Sequence, residues 1–433
     1  MGMKRSLGVY ISVPFCKAKC SYCNFASGVF GAGSAGAARM DRYVDRVCSE
    51  MRGARAAAER MGAELPGVVD TIFFGGGTPS LLSAGQMRRL FEALRGEFGV
   101  ATGAEITLEC APGQLGDETL WEMLRQGMNR VSFGVQSFVD REAAGVGRLH
   151  TRAMCLDEIA RMRAAGVEDI NVDLIVGLPR QTAASWRESV EVALGTGVPH
   201  VSMYMLEVDE DSRLGREMLA SGAKYGAGDV ASEDEIAEWY GAACEWLEAG
   251  GVRQYEISNF AREGKRAGVK SDHRSRHNVK YWRREPYVGF GLDAHSMLRA
   301  SSNGLKAAEG AVRWANTDDL DGYLGSQAPG ARRQGAAELA LLHDGAGPEV
   351  ERIGPEKAFE EAMFLGLRMN DGVELEGLRV EFGEELMRGA VAAMSDVEEA
   401  GLIVVESGKV RLTARGRMAS NEVFSRLLVG AAA

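Results

Sequence analysis

The sequence predicts an α/β protein whose core is a partial (β/α)6 barrel, followed by a smaller α+β domain. Between residues 8 and 206, short apolar runs alternate with stretches of helical periodicity, which is the pattern of a parallel sheet covered by helices. The predicted strands are residues 8–13, 71–74, 105–109, 130–136, 170–176 and 200–206. Six units are too few to complete an eight-stranded TIM barrel, so the barrel should be open and TIM-like. Ligands are then expected at the carboxyl ends of the strands.

Helices are predicted between these strands from apolar spacing and capping residues. The predicted helices are residues 39–60, one capped by Ser83, 117–126, 152–165, 183–194 and, after the barrel, 232–248. Residues 27–38 are rich in Gly and Ala, which predicts a mobile loop just after the first cysteines. Residues 300–350 have weak periodicity and are predicted to form several loops.

Two or three domains are expected from a chain of 433 residues, and the pattern of elements divides it into three. Residues 1–228 form the predicted barrel, and residues 229–352 form an intermediate region. In residues 353–433, three helices (358–368, 375–382 and 387–400) precede a hairpin that turns at Ser407-Gly408. This order predicts a winged-helix-like domain. It carries more acidic than basic residues, so a packing or partner-binding role is favoured over DNA binding.

The composition argues against a nucleic-acid-binding protein, a membrane-spanning protein and a disulfide-rich secreted protein. The net charge of −11 disfavours nucleic acid as a partner. No run of about 18 uncharged apolar residues occurs, so no membrane span is predicted. The seven cysteines are odd in number and lack the pattern of a small secreted scaffold, which indicates a reducing, cytoplasmic location.

Three of the cysteines form the strongest motif in the chain. Cys16, Cys20 and Cys23 follow directly after the first predicted strand, with the spacing C-x3-C-x2-C. Thiolates are the ligands of iron–sulfur clusters, and three of them leave one iron of a four-iron cluster open. The alternative, a structural zinc site, needs a fourth Cys or His, and none lies nearby in the sequence. The motif therefore predicts a [4Fe–4S] cluster.

Glycines and polar residues mark the ends of the following strands. The run Gly75-Gly76-Gly77-Thr78-Pro79 ends the second strand, where side-chain-free backbone allows a ligand to approach closely. Glu109, Gln136 and Asp173 lie at or near the ends of later strands, and Arg148 follows the fourth. Charges in such places should face a ligand or one another, and structural salt bridges are the alternative.

These motifs resemble the radical S-adenosylmethionine superfamily. The resemblance rests on Tyr10, on the cysteine triplet with Tyr22 inside it, and on the glycine run. It implies S-adenosylmethionine at the open iron, with Glu109 and Arg148 at the methionine moiety and Gln136 and Asp173 on the ribose side. The full set of implied cofactor contacts is Tyr10, Tyr22, Gly76, Gly77, Thr78, Glu109, Gln136, Arg148 and Asp173.

A second motif, His277-Asn278-x-x-Tyr281-Trp282, is similar to that of HemW-type haem chaperones, in the group that resembles oxygen-independent coproporphyrinogen III oxidase. His277 offers an imidazole for haem iron, and Tyr281 and Trp282 offer flat apolar area for a porphyrin. Residues 265–284 are rich in Lys and Arg that could pair with propionates. The alternative is a structural histidine beside core aromatic side chains.

Two departures distinguish the chain from the decarboxylating oxidases. Phe25 stands where those enzymes carry a further cysteine, and the first strand starts near residue 8, without their amino-terminal extension. The resemblance therefore implies a haem chaperone, with an oxidative decarboxylase of coproporphyrinogen III as the alternative. The implied partners are haem, a haem-acceptor protein and an electron donor for the cluster, and the sequence allows a homodimer. Whether cleavage of S-adenosylmethionine is needed for haem transfer stays open.

Overall fold

The computed structural model describes residues 6–30, 33–266, 269–301, 310–325 and 350–427. Up to residue 205, strands and helices alternate as the sequence predicts. The strands are β1 (Leu7–Val13), β2 (Phe15–Cys16), β3 (Gly28–Val29), β4 (Ala63–Glu64), β5 (Val68–Gly76), β6 (Gly99–Cys110), β7 (Arg130–Gln136), β8 (Asp169–Val176) and β9 (His200–Met205). The helices are α1 (Ser34–Arg60), α2 (Ala84–Glu97), α3 (Asp117–Arg125), α4 (Asp140–Gly145), α5 (Arg152–Ala164) and α6 (Ala183–Thr196).

Six of these strands form an open parallel sheet in the order β9-β8-β7-β6-β5-β1. Apolar side chains of the sheet pack under the surrounding helices in one large core, as in a (β/α) barrel. Within the described residues, β9 does not pair with β1, so the barrel stays open. The predicted partial TIM-like barrel is confirmed.

The intermediate region extends this sheet at both edges. Its strands are β10 (Arg253–Glu256), β11 (Asn259–Ala261), β12 (Glu263–Arg266), β13 (Val269–Asp272), β14 (Tyr287–Phe290), β15 (His295–Ala300), β16 (Ala311–Ala315) and β17 (Val350–Ile353). After β9 the barrel region ends with helix α7 (Arg213–Leu219) and a 3-10 helix over Lys224–Asp229. The helices of the intermediate region are α8 (Glu233–Ala249), α9 (Arg276–Trp282) and α10 (Leu320–Gly325). β11 pairs with β9, and β14 pairs in parallel with β1 and leads into the antiparallel strands β15, β16 and β17.

Two loop predictions are wrong in part. α1 begins at Ser34, inside the segment predicted as a mobile loop, because its alanines favour helix once the first turn is formed. Between residues 300 and 350, which were expected to be loops, β16 and α10 are regular. Residues 302–309 and 326–349 of that segment lie outside the described residues.

The carboxyl-terminal region has its own apolar core, centred on Phe359, Met387 and Val410. Its helices are α11 (Pro355–Arg368), α12 (Leu375–Phe382), α13 (Glu384–Glu399), α14 (Ala414–Met418) and α15 (Ser420–Arg426). Its three-stranded sheet contains β18 (Val373–Glu374), β19 (Ile403–Glu406) and β20 (Lys409–Leu412). Ser407 and Gly408 both have positive φ, at 52° and 78°, as the hairpin turn requires. Three helices followed by a hairpin confirm the winged-helix-like prediction.

Candidate functional site

The cysteine loop is closed at its base by a two-residue parallel sheet. β2 and β3 pair Cys16 with Val29, and the Phe30 N–H donates to the Cys16 carbonyl at 3.1 Å. Cys16 and Cys20 are buried and Cys23 is partly exposed, and the three thiols are free of disulfides. This loop follows the carboxyl end of β1, the edge at which a barrel binds its ligands.

Two side chains donate hydrogen bonds to the cysteine sulfurs. The Thr78 hydroxyl donates to Cys16 Sγ at 3.7 Å, and Arg148 Nη1 donates to Cys20 Sγ at 3.5 Å. Burial raises the pKa of the Cys16 thiol, and hydrogen bonds from hydroxyl groups lower it. Such donors stabilise thiolates and tune the potential of a bound iron–sulfur cluster.

The glycine run packs directly on the cysteine loop. The N–H groups of Gly77 and Thr78 donate to the carbonyls of Val13 and Phe15, each at 2.8 Å. A Cβ on Gly77 would lie 2.8 Å from the Val13 carbonyl oxygen and 3.0 Å from Cys16 Sγ. Any side chain at this position would push the glycine run away from the cysteines.

The donor set fits an iron–sulfur cluster. Nowhere in the described part of the chain do three His, Cys, Asp or Glu side chains converge as ligands of a single metal ion would. A structural zinc site needs four ligands, and the cysteine motif supplies three. A four-iron cluster differs, because each of its thiolates binds a different iron.

Two half-buried carboxyl groups, those of Glu109 and Asp173, lie near enough to interact electrostatically. Burial and the nearby charge of Asp173 raise the pKa of Glu109 to about 8, although a hydrogen bond from the Gly76 N–H lowers it. Burial also raises the pKa of Asp173, which accepts hydrogen bonds from Asn171 at 2.7 Å and Ser132 at 3.2 Å. Two carboxyl groups held in this way favour a cationic ligand between them.

Arg148 and Gln136 carry polar atoms without partners at the barrel opening. The Arg148 guanidinium donates to the Gly134 carbonyl and to Cys20, but its buried Nε has no partner among the described residues. Gln136 has a φ of 70°, and its buried Oε1 also lacks a partner in the described ranges. Strained backbone and unpaired buried polar atoms mark a place where a ligand completes the structure.

The two tyrosines flank this opening on different sides. The Tyr10 hydroxyl lies 3.0 Å from the position of a Cβ on Gly75, and the Tyr10 ring stacks on Phe73. Tyr22 packs against an apolar cluster that contains Val146 and Ile175. The predicted contacts at or just after the carboxyl ends of strands are Gly76, Gly77, Thr78, Glu109, Gln136 and Arg148. Tyr10 and Asp173 lie in the middle of β1 and β8, and Tyr22 lies in the cysteine loop with Cys16, Cys20 and Cys23.

Sequence reasoning missed the side chains that support this site. Asn171 donates to Asp173 and also to Ser202 at 2.9 Å, so it holds the carboxylate in place. A Cβ on Gly134 would lie 3.1 Å from Arg148 Nη2. Asn171 and Asp173 are two residues apart and therefore share one face of β8, a signal that the alternation of polar residues could have given.

His277 lies on helix α9, toward the amino ends of the barrel strands. Its Nδ1 is 2.9 Å from Thr71 Oγ1, and its Nε2 is 2.8 Å from the Tyr281 hydroxyl. The residue is 1% exposed, and burial lowers the pKa of the imidazole to about 3. Both ring nitrogens are hydrogen-bonded and the ring is enclosed, which is the arrangement of the alternative, a structural histidine beside aromatic side chains. Haem-iron ligation by His277 stays a prediction.

The other parts of the His277 motif are also used internally. Trp282 packs under the Arg368 guanidinium, which lies 4.3 Å from the ring centroid. Lys280 pairs with Asp70 at 2.9 Å. Among the predicted propionate-binding residues, Arg274, Arg276 and Arg284 form ion pairs within the chain. The side chains of residues 265–271 lie outside the described residues.

Helix α9 covers the amino ends of the barrel strands. The Glu105 carboxylate, on β6, accepts from the His277 N–H at 2.9 Å and from the Arg276 N–H at 3.0 Å. His277 contacts β5 through Thr71, and Lys280 reaches Ser6 ahead of β1. The second motif therefore lies toward the amino ends of the strands and the cysteine loop follows the carboxyl end of β1. The Tyr10 ring lies between them and stacks on the His277 ring, with 6.5 Å between the centroids.

Comparison with known proteins agrees with this architecture. Residues 10–193 match the Radical SAM superfamily, and residues 353–419 match the HemN C-terminal domain. The Heme chaperone HemW of Bacillus subtilis is 30% identical over 420 residues, which cover 97% of this chain and 98% of that protein. This chain belongs to the HemW family. The predicted resemblance is confirmed.

Two further relatives define the range of the similarity. The Heme chaperone HemW of Synechocystis is 33% identical over 84% of this chain and 78% of its own length. The solved structure of coproporphyrinogen III oxidase (HemN) from Escherichia coli has a TM-score of 0.76 and 20% identity, and it covers 98% of this chain and 90% of that chain. At that identity the likeness establishes the fold. No helix in the described residues is long and apolar enough to cross a membrane.

Proposed function

We propose that this protein is a haem chaperone, which binds haem and passes it to an acceptor protein in the cytoplasm. The observation that carries this proposal is the match to Bacillus subtilis Heme chaperone HemW along nearly the whole of both chains. The match includes the barrel, the intermediate region and the carboxyl-terminal domain together. A shared barrel alone would support only membership of the wider superfamily.

The chain's own residues fit the two cofactors that the superfamily uses. Cys16, Cys20 and Cys23 would hold a [4Fe–4S] cluster, and S-adenosylmethionine would bind at its open iron. Together these groups supply reductive cleavage of the sulfonium cofactor when bound. Glu109 would accept a hydrogen bond from the cofactor's ammonium group, since its half-buried carboxyl lies near Asp173 and is not paired with a cation in the described residues.

Arg148 would act at two points of the same site. Its Nη1 is already at Cys20, and its unpartnered Nε is free to donate to a carboxylate of the cofactor. Gln136 and Asp173 would bind on the ribose side, where their oxygens accept hydrogen bonds from hydroxyl groups. An electron donor for the cluster and a homodimer are further predictions for this protein.

The experiment that tests the proposal measures haem transfer. Anaerobically reconstituted protein is loaded with haem, mixed with apomyoglobin and followed by the Soret band of the product. We expect stoichiometric haem binding and transfer faster than from haem bound to serum albumin. Failure of the reconstituted protein to bind haem would overturn the proposal.

The same preparation tests the alternative, oxidative decarboxylation of coproporphyrinogen III. With reductant and S-adenosylmethionine, we expect the porphyrinogen to be recovered unchanged. The variant Cys16→Ser serves as the control that lacks the cluster. Formation of protoporphyrinogen by the wild-type protein, and not by Cys16→Ser, would instead support an enzyme.

A further inference from the structure

A crevice of about 540 Å³ opens beside the cysteine loop. One wall consists of Phe25, Val29 and Phe30, which follow the cluster cysteines, and the facing wall contains Leu292 and Leu320. Its size lies within the range of small-molecule sites in proteins. None of the residues predicted to contact S-adenosylmethionine lines this crevice, so it is separate from the predicted cofactor site.

The crevice exposes large apolar side chains to solvent. Phe25 is 60% exposed and Val29, in β3, is 58% exposed, which is unusual for two large apolar side chains so close in the chain. Phe30 lies behind them and is fixed by an edge-to-face contact with the buried ring of Phe15, at 4.4 Å between centroids. Two large exposed apolar side chains that line one crevice mark a site that another apolar group covers.

A single ammonium group stands at the edge of this apolar wall. Lys19 Nζ donates to the carbonyls of Phe25 and Ser27, at 3.1 and 3.0 Å. It has no carboxylate partner within the described residues, so its charge is available to a ligand. The other cation of the crevice, Arg39, is already paired with Asp321, and the crevice also contains the carboxyl group of Asp318.

We propose that this crevice is where haem docks, with the macrocycle against Phe25 and Val29 and one propionate on Lys19. The proposal rests on the proposed function and assigns its site. Haem combines a flat apolar face with carboxylates, which is the chemistry that this crevice offers. Among the described residues, no His, Cys, Met or Tyr lines the crevice, so porphyrin burial and the propionate contact carry the binding.

The position also places the cargo next to the cluster loop. Val29, which lines the crevice, pairs with Cys16 in the β2–β3 sheet. Haem in the crevice would therefore lie close enough to change the spectrum of a cluster held by that loop. His277, by contrast, lies toward the amino ends of the strands.

The test compares haem binding by the cluster-loaded full chain and its crevice variants. Phe25→Ala and Val29→Asp change exposed side chains, so both should fold and retain iron. We expect each to weaken haem binding by about tenfold, the effect of losing partial burial of one large apolar contact. Iron-free protoporphyrin should lose affinity in parallel. Val380→Asp, a change at a 79% exposed apolar side chain in the carboxyl-terminal domain, should leave both affinities unchanged.

Two further measurements sharpen the assignment. Lys19→Met should weaken haem binding by about fivefold, the upper range for a partly exposed ion pair, and should leave binding of the haem dimethyl ester unchanged. Leu320→Ala lies outside the cysteine loop and should weaken haem binding even if the loop variants lose iron. His277→Ala should retain wild-type affinity for haem.

The outcomes separate the site from the function. If the wild-type protein does not bind haem, the proposed function and the crevice fail together. If it binds haem and Phe25→Ala, Val29→Asp and Leu320→Ala all bind as tightly, the function stands and the crevice is overturned. Loss of binding in His277→Ala, with the crevice variants unaffected, would overturn the crevice in favour of the second motif.

Discussion

Replacing Glu109 by Gln should change how the stability of the cofactor-free protein depends on pH. The pKa of Glu109 is raised from 4.5 to about 8 by burial and by the charge of Asp173. Between these two values the unfolded chain binds fewer protons at this residue than the folded protein does. The free energy of unfolding therefore falls as the pH rises through this range.

The size of the effect follows from the two pKa values. Raising the pH from 5 to 7 should remove about 2 kcal/mol of stability through Glu109 alone, after allowance for its partial exposure. Glu109→Gln cannot ionise, so it should be as stable as the wild type at pH 5 and more stable at pH 7. Urea unfolding of both proteins at half-unit steps of pH measures the difference.

Binding of S-adenosylmethionine should respond in the opposite direction. The cofactor's ammonium group requires the carboxylate form, so the affinity of the wild type should rise between pH 6 and 7.5. Glu109→Gln should bind weakly at every pH in that window. Glu118→Gln, at an exposed position on α3, is the matched control. A stability difference between Glu109→Gln and wild type that does not change with pH would refute the reasoning.

Three further predictions concern the cluster loop and the second motif. Gly77→Ala should lose most of its iron after anaerobic reconstitution, because the added Cβ meets backbone oxygens within 3 Å, whereas Gly85→Ala has open space and should retain it. His277→Ala should lose about 3 kcal/mol of stability in urea, because two hydrogen-bond partners are left buried, and Tyr281→Phe about 1 kcal/mol. Arg148→Gln should lower the reduction potential of the cluster in a redox titration, because a positive charge near a ligand sulfur is removed.

Each of these three predictions has a result that would contradict it. Full iron content in Gly77→Ala would mean that the glycine run can move away from the cysteines. Unchanged stability in His277→Ala would mean that the histidine is not held as described. An unchanged or higher potential in Arg148→Gln would show that the guanidinium does not act on the cluster.

The local pattern of apolar residues, with its turn and capping signals, was sufficient to predict the strands and helices of the barrel. The strand Arg130–Gln136 and the helix Leu375–Phe382 have the predicted boundaries, because apolar periodicity and end signals coincide there. The extension of the sheet by β14 could not be predicted in this way. Tyr287–Phe290 is only four residues long, and it pairs with a strand about 280 residues earlier in the chain. Such a contact depends on tertiary packing and leaves no local signal.

The residues of the candidate site also divide into those that local sequence predicts and those that depend on tertiary packing. The cysteines and polar strand ends follow from chemistry and spacing, so the sequence could group them. The enclosure of His277 depends on Thr71 and Tyr281 meeting it across the barrel, which spacing does not reveal. The unusual backbone of Gln136 is likewise a tertiary effect, since glutamine has no intrinsic preference for positive φ.

Helix α9 packs on β5 and β6 through Thr71 and Glu105. In the part of the chain that the structure describes, this helix covers the end of the barrel away from the cysteine loop, which leaves the loop-bearing end for the cofactor. The crevice beside the cysteine loop opens at that same end. A reductant, a haem donor and a haem acceptor would then take turns at one surface. These partners could not all bind at the same time, so the release of one partner would have to precede the binding of the next.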